Sequence, residues 1–535
     1  MEKNHQAEIL ETMMQADFYP HPVETIERRE THISTVFLTG PVVYKIKKPV
    51  DLGFLDFTSL EKRQRYCLQE IALNRRLSHG VYIDAVPITC NDGIYALNGP
   101  GETVEFAVKM HQLAETDSMQ QRLMRATLDD GDIESLIRLL VGFFAQTATL
   151  NDVDPSTTLA WELNLQRAEP FAGVWIDRRQ FEFVRSAAGS FYRRHRQLFL
   201  RRRRDGKIKD GHGDLRTDHI YFTRSGIQVI DCIEFNDRLR VLDIISDLAF
   251  LIMDLEYNHF PETASSLIRR YVKQTDDIGA LPLLPFFCCY RAMVRCKVTC
   301  FRLQECSHRR ADFAMLKAAA QHYLAMAHGY ATAFSRPILW VVCGLPASGK
   351  STIARALATV VDVNVIRSDV IRKELFAGGS TAPSNPQAFG QAMYSALASQ
   401  ATYERMFALA LEDLKKGKSV VIDATFSRAT RRSQALRIAA GRQAIPVFIE
   451  CRAGEATLAA RLLKRETGPS VSDARLIHLE AFKKRYQPMV RIGNEIHIPV
   501  DTENPPAVCL RHIMLTDALF VDCLQGFPRK GGRHV

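Results

Sequence analysis

The chain has 535 residues, 46% of them hydrophobic and 24% charged, with a formal net charge of +10. That length exceeds a single ordinary core and implies roughly two to four domains, and the composition excludes a disordered chain. The positive balance favours anionic ligands without selecting nucleic acid.

The polar, acidic start (MEKNHQAEILETMMQ) is unlike a signal peptide. Apolar runs such as LLVGFFA and ILWVVCGL fall well short of the roughly 20 residues of a membrane span. A cytoplasmic protein with no membrane partner is therefore expected. Twelve cysteines without an export signal read as reduced thiols.

In chain order, residues 30–50 alternate as strands around the turn signal Thr39-Gly40-Pro41. Thr58-x-x-Glu61 reads as a capping box opening a helix through RYCLQEIALNRRL. Strands at IYALN and VEFAVKM follow, and helical patterns dominate from about 117 to 200. A mostly strand lobe before a mostly helical one is the result. Between Phe191 and Lys209 nine Lys or Arg residues face one Asp. This run reads as a solvated helix ending in a basic loop, or as a patch for a phosphate-bearing substrate or RNA.

Next comes GHGDLRTDHIYF, residues 211–222, and one short hairpin later IQVIDCIEF. Asp214 on a loop and Asp231 at a strand end suit kinase chemistry, the first orienting a hydroxyl nucleophile and the second holding Mg²⁺ on nucleotide phosphates. A metal site of His212, Asp214, His219 and Asp231 is the rival, although the spacing matches no usual zinc pattern. Cys289, Cys296 and Cys300 share one helical face and read as a buried thiol stripe. HGYATAFSRP, 328–337, reads as an interruption of the helical pattern, which puts the boundary between domains 1–333 and 334–535 there.

Beyond it the short apolar runs ILWVVCG, VNVIRSD, SVVIDATF, PVFIEC and EIHIPVD alternate with helices, as in a parallel sheet covered on both faces. GLPASGKST fits the phosphate-binding loop, with Gly344, Ser348, Gly349, Lys350, Ser351 and Thr352 in nucleotide-binding positions between strand and helix. Backbone N–H groups would turn around the β-phosphate, Lys350 would neutralise phosphate oxygens and Ser351 would hold Mg²⁺. Asp423 is a candidate metal group and Asp369 a candidate acceptor-activating base; helix N-capping is the plainer role for both. Arg461 and Arg465, one turn apart before a Gly-Pro-Ser loop, read as lid arginines or as surface residues.

Residues 336–505 resemble the P-loop kinase group that includes zeta toxins and the kinase domain of polynucleotide kinases. The resemblance rests on GLPASGKST, the SD of IRSDVIRKELF, and VIDATF. It implies Asp369 as the hydroxyl-activating acid and Arg461 or Arg465 as lid arginines.

HGDLRTDHIYF followed by VIDCIEFNDRLRVLDIISDLAF resembles the aminoglycoside phosphotransferase and choline kinase family, over roughly residues 30–330. The implied fold is the protein-kinase-like bilobal α+β one. Asp214 would be the catalytic base, Asp231 the metal ligand and Asp247 a structural residue. Lys45 in VVYKIKKPV, or Lys47 on the same face, would be the ATP lysine, with Glu70 as its partner. The family's Asn five residues after the base is replaced by His219, a poorer ligand for a hard cation.

The whole chain resembles bacterial fusions of such a half with a C-terminal α/β P-loop half. ATP, Mg²⁺ and a hydroxyl-bearing acceptor are implied, the acceptor a small molecule or a nucleotide. The alternatives are a ligand-binding pseudokinase domain regulating a P-loop ATPase, and a nucleic-acid 5′-end kinase, which is not favoured. No signal specifies an oligomeric state.

Overall fold

The computed structural model describes residues 2–31, 33–53, 55–149, 157–305, 310–376, 395–466, 476–489 and 496–516. The chain divides into two compact units. One takes residues 1–177, 201–275 and 290–324; the other takes 178–200, 276–289 and 325–535.

The first unit begins with an antiparallel sheet built from β1 (Glu27–Glu30), β2 (Ser34–Leu38), β3 (Val42–Lys47), β4 (Tyr82–Asn91), β5 (Ile94–Leu97) and β6 (Glu102–His111). Its spatial order is β1-β2-β3-β6-β4-β5. Thr39, Gly40 and Pro41 form the tight β2–β3 turn, with Gly40 at φ +93°. The helix Leu60–Asn74 lies against β4 and β6. Its buried residues Arg63, Cys67, Glu70, Ile71 and Asn74 recur at helical spacing, one face of the cylinder. The cap differs from the sequence expectation. Ser59, not Thr58, accepts from Lys62 N, because Thr58 is already bound through its N–H and hydroxyl to the Asp56 carboxylate.

The rest of the first unit is mostly helical, interrupted by two short antiparallel pairs. β7 (Ile208–Asp210) pairs with β10 (Val241–Asp243), and β8 (Ile220–Thr223) pairs with β9 (Gly226–Val229). These two pairs flank the loops in which Asp214 and Asp231 sit. Part of the basic run is structural: Arg202 is buried and donates two hydrogen bonds to Asp243, which caps the helix Ile244–Tyr257.

The helix Leu284–Glu305 carries the expected thiol stripe, with Cys289, Cys296 and Cys300 all buried. Among the described residues, Ile278–Glu305 is the one helical stretch long and apolar enough to cross a membrane, and 72% of its most apolar window is buried inside the protein. The sequence reading overlooked it because charged residues break the run. The helix Arg310–Ser335 continues through the segment expected to interrupt it. Gly329 is tolerated there because its neighbours Tyr330 and Ala331 are fully buried, which outweighs a helix-propensity cost of about 1 kcal/mol.

In the second unit β11 (Ile338–Cys343), β12 (Asn364–Arg367), β13 (Val420–Asp423), β14 (Ile445–Arg452) and β15 (Ile496–Asp501) form one parallel sheet in the order β12-β13-β11-β14-β15. Their continuous apolar runs are buried, as expected of strands covered on both faces.

Glu450 on β14 anchors one end of this sheet. It is 5% exposed and accepts from Tyr486 Oη at 2.9 Å, His497 Nε2 at 3.1 Å and Arg452 at 2.6 Å. Burial pushes its carboxyl up, but the bonds from His497, Arg452 and Tyr486 outweigh burial and hold it at about 2. A depressed carboxylate contributes stability above its unfolded value of 4.5 and loses it as pH falls toward 2. Urea unfolding should therefore show a stability gap between the native protein and Glu450→Gln at neutral pH. The gap should close across that acid window.

Candidate active sites

In the first unit, Lys45 and Lys47 project from the same face of β3, two residues apart. Both reach Glu70, which is fully buried and would be untenable as an unpaired charge. Lys47 is fully buried and also pairs with Glu234. Lys45 instead opens to a cavity and donates to Asp231 Oδ1 at 2.7 Å and Glu70 Oε1 at 2.9 Å. The two lysines thus differ: one is locked inside the lobe, while the other faces the cleft.

Asp231 has φ +64°, a strained backbone for a non-glycine residue. Its N–H donates to Tyr82 Oη at 3.2 Å. Its side chain is 45% exposed. Burial opposes its charge, and Lys45 and then His219 override that to hold its carboxyl far below the usual range.

The loop bearing Asp214 is fixed from below. The N–H groups of His212 and Gly213 donate to the Asp247 carboxylate at 2.7 and 2.9 Å. A Cβ on Gly211 would lie 2.2 Å from Asp247 Oδ2, so only glycine fits. Arg291 donates to Gly213 O, and Thr217 is held through N–H and hydroxyl by Asp254. His212 is buried, with one ring nitrogen bonded to Ile230 O and the other accepting from Asp214 N, so it positions the loop and is not a ligand. Burial pushes its imidazole down to about 3, the neutral form this bonding needs.

Asp214, His219 and Asp231 come together, each offering an atom within 4.8 Å of the others. Two carboxylates are the hard oxygen donors that Mg²⁺ takes. His219 is engaged elsewhere as placed. Its Nδ1 donates to Asp214 O at 2.9 Å and its Nε2 accepts from Arg216 at 2.7 Å, which fixes the tautomer. Arg216 also bridges Asp214 and Asp218. Burial raises Asp214, but Arg216 and His219 outweigh it and keep the carboxyl below its usual range. The cavity above has a volume of about 980 Å³.

In the second unit, β11 is the central strand and Gly344 begins the loop at its carboxyl end. Gly344 (φ +134°) and Gly349 (φ +82°) adopt backbone shapes that favour glycine. A Cβ on Gly344 would lie 2.3 Å from Cys451 O, and one on Gly349 3.1 Å from Thr502 Cβ. Gly349→Ala is therefore expected to distort the loop at a cost of about 1–3 kcal/mol. Thermal unfolding of this variant in a Lys45→Met background, titrated with ATP, should show nucleotide-induced stabilisation lost while the fold is retained without nucleotide.

Gly349 precedes the helix Lys350–Val361, whose first N–H groups have no intrahelical acceptors. Ser348 Oγ is buried and makes no hydrogen bond with a described residue. An orphaned hydroxyl beside a helix N-terminus fits a phosphate. Lys350 Nζ lies 2.6 Å from Leu345 O, folded over the loop.

Strand register sets Asp423 beside Val342 and Arg367. It is buried, hydrogen-bonded by Ser351, and shifted up mainly by burial, with Lys350 opposing and Asp369 adding to the rise. It caps no helix, since the next one starts at Ala429. Asp369 lies in the first turn of the helix Ser368–Phe376, 3.6 Å from Arg372. Lys350, Ser351, Asp369 and Asp423 therefore converge.

Arg461 donates to Ala347 O at 3.3 Å and Thr502 O at 2.7 Å, bracing the loop from behind. The Arg465 side chain and the Gly-Pro-Ser segment 468–470 lie outside the described residues. Thr502, whose hydroxyl lies 2.8 Å from Ser348 O, was not found in the sequence, nor were Arg216, Glu234 and Asp254. Only the tertiary register brings them to the sites.

The first unit, with its antiparallel sheet, buried Lys–Glu pair and loop carboxylates, has a protein-kinase-like fold, and the second has the P-loop fold. Residues 339–489 match the family AAA_33, described as an AAA domain. The uncharacterized protein Rv2004c of Mycobacterium tuberculosis is 30% identical over 467 residues, covering 85% of this chain and 90% of that protein. A putative kinase from Chloroflexus aurantiacus is similar at 22% identity, over 33% of this chain and 96% of its own, with a TM-score of 0.27. A choline/ethanolamine kinase family protein from Mesorhizobium loti is similar at 12% identity, over 60% of this chain and 99% of its own, with a TM-score of 0.35. Kinase-like domains of both types in one chain point to a phosphotransferase.

Proposed function

We infer that this chain, which belongs to the same family as Rv2004c of Mycobacterium tuberculosis, is an ATP-dependent phosphotransferase with two nucleotide sites. Each transfers the γ-phosphoryl group to a hydroxyl of a small molecule or nucleotide. The observation that carries this reading is the doubled pattern of cation and carboxylates: Lys45 with Asp214 and Asp231 in one unit, and Lys350 with Asp369 and Asp423 in the other.

In the first unit Lys45 binds nucleotide phosphates and Asp231 would hold Mg²⁺. Asp214, already ionised, accepts the proton as the acceptor oxygen attacks the γ-phosphorus. The new O–P bond forms as the bond to the β-phosphate oxygen breaks, and ADP leaves with that oxygen. In the second unit the N–H groups after Gly349, the Ser348 hydroxyl and Lys350 hold the phosphates, while Asp369 receives the acceptor proton. Arg461 is a positioning residue that keeps the loop in shape. Ser351 and Asp423 would hold Mg²⁺, and Mg²⁺ when bound supplies charge neutralisation on the phosphates.

A second reading makes the first unit a ligand-binding regulator of a P-loop ATPase. The engagement of both His219 nitrogens, which leaves only two carboxylates of that cluster to hold a metal, is what favours it. The deciding experiment supplies γ-labelled ATP and Mg²⁺ with a panel of hydroxyl compounds to the full chain and to Lys350→Met. Label on an acceptor with Lys350→Met supports a catalytic first unit; ATP hydrolysis by the native chain with no acceptor labelled in any reaction contradicts the transferase reading.

A further inference from the structure

We propose that the acceptor site of the first unit takes an anionic hydroxyl compound, one bearing a phosphate or carboxylate group away from the reacting hydroxyl. This rests on the phosphotransferase reading of that unit and names its substrate class.

The cavity is lined by six acids, and each already has a cation. Glu30 pairs with Arg28 and Lys48, Asp214 and Asp218 with Arg216, Asp231 with Lys45, Glu234 with Lys47, and Asp237 with Arg240. Three cations of the wall are not so matched. Arg238, Arg295 and Arg302 line the same cavity and form no ion pair with any described residue. Arg295 rests on the Tyr323 ring, 5.6 Å from its centroid, and its buried Nε makes no hydrogen bond with a described residue. A guanidinium held in a cavity wall without an acceptor is a site awaiting one.

Arg295 and Arg302 lie two turns apart on the helix Leu284–Glu305, and Arg167 and Lys297 line the same wall. Burial and then Arg167 push the Lys297 ammonium down to about 8, the response of a cation crowded by burial and like charge. A bound anion would offset that like charge. A cationic acceptor would meet the reverse, with no unpaired acid to receive it and an uncompensated guanidinium nearby.

One sugar scaffold in four charge states tests this: glucose 6-phosphate, gluconate, glucose and glucosamine. Each is titrated calorimetrically into the full chain saturated with Mg²⁺ and a non-hydrolysable ATP analogue. At least one anion should bind more than about tenfold tighter than glucose or glucosamine, and the two anions distinguish phosphate from carboxylate. Arg302→Met, at an exposed position that does not threaten folding, and Arg295→Met should each weaken that binding, while Arg295→Lys retains part of it. The affinity of the first unit for the nucleotide analogue, read in a Lys350→Met background, should not move. Failure of both anions to bind, preference for glucosamine, or anion affinity indifferent to both Met variants overturns the inference while nucleotide binding stands. Loss of nucleotide binding in the native chain would instead remove the phosphotransferase reading itself.

Discussion

Replacing Lys350 by Met is expected to lower ATP turnover at the P-loop site by about 100- to 1000-fold. Lys350 is the first residue of its helix, its ammonium folds onto Leu345 O, and its charge acts on Asp423. The loop geometry itself comes from elsewhere. Gly344 and Gly349 set the backbone, and Arg461 and Thr502 brace it. The substitution therefore removes the charge that meets the phosphates while leaving the cradle standing. Turnover of γ-labelled ATP in an Asp214→Asn background isolates this site, and a thermal transition within a few degrees of the parent shows that the fold survives. Turnover unchanged by Lys350→Met would mean that the loop does not act on ATP.

Asp214→Asn is expected to reduce transfer by the first unit about 1000-fold, with nucleotide affinity nearly unchanged. The amide can still accept from Arg216, so the loop held by Asp247 keeps its shape; what disappears is the proton acceptor. The sign of the pH dependence follows from the same surroundings. Arg216 and His219 outweigh burial and hold the Asp214 carboxyl below its usual range. The base is thus ionised from neutral pH down through the ordinary carboxylate range, and its acid limb falls below that range. Rates measured across pH in the Lys350→Met chain check this. An acid limb near neutrality would assign the proton to another group.

The parts of this molecule that were legible in the sequence are those set by local spacing. GLPASGKST must place glycines and a lysine at fixed intervals to wrap a phosphate, and the uninterrupted apolar runs of β11 and β13 can only be doubly covered strands. Asp214 and Asp231 were readable because a short hairpin, β8 and β9, separates them. The choice between Lys45 and Lys47 was not, because both lie on one strand face and only the packing of Glu234 decides which is sealed in. Thr502 reaches the P-loop from the far end of the second unit's sheet, a contact fixed by β14–β15 pairing and carried by no motif. Ser59 displaced Thr58 as the helix cap through the Asp56 carboxylate, whose reach to Thr58 is set by the local turn. Arg461 sits at the helical spacing expected of a lid, yet its guanidinium is bonded to Ala347 O and Thr502, partners that the sequence around it does not reveal.

That one chain holds two separate triphosphate sites is tested most directly by nucleotide stoichiometry. Equilibrium titration of the full chain with a non-hydrolysable ATP analogue and Mg²⁺ should saturate at two equivalents. It should fall to one in Lys350→Met, and to the other one in Lys45→Met, where Lys47 still neutralises the buried Glu70. Saturation of the native chain at one equivalent or none, or two equivalents retained by either variant, would contradict the account.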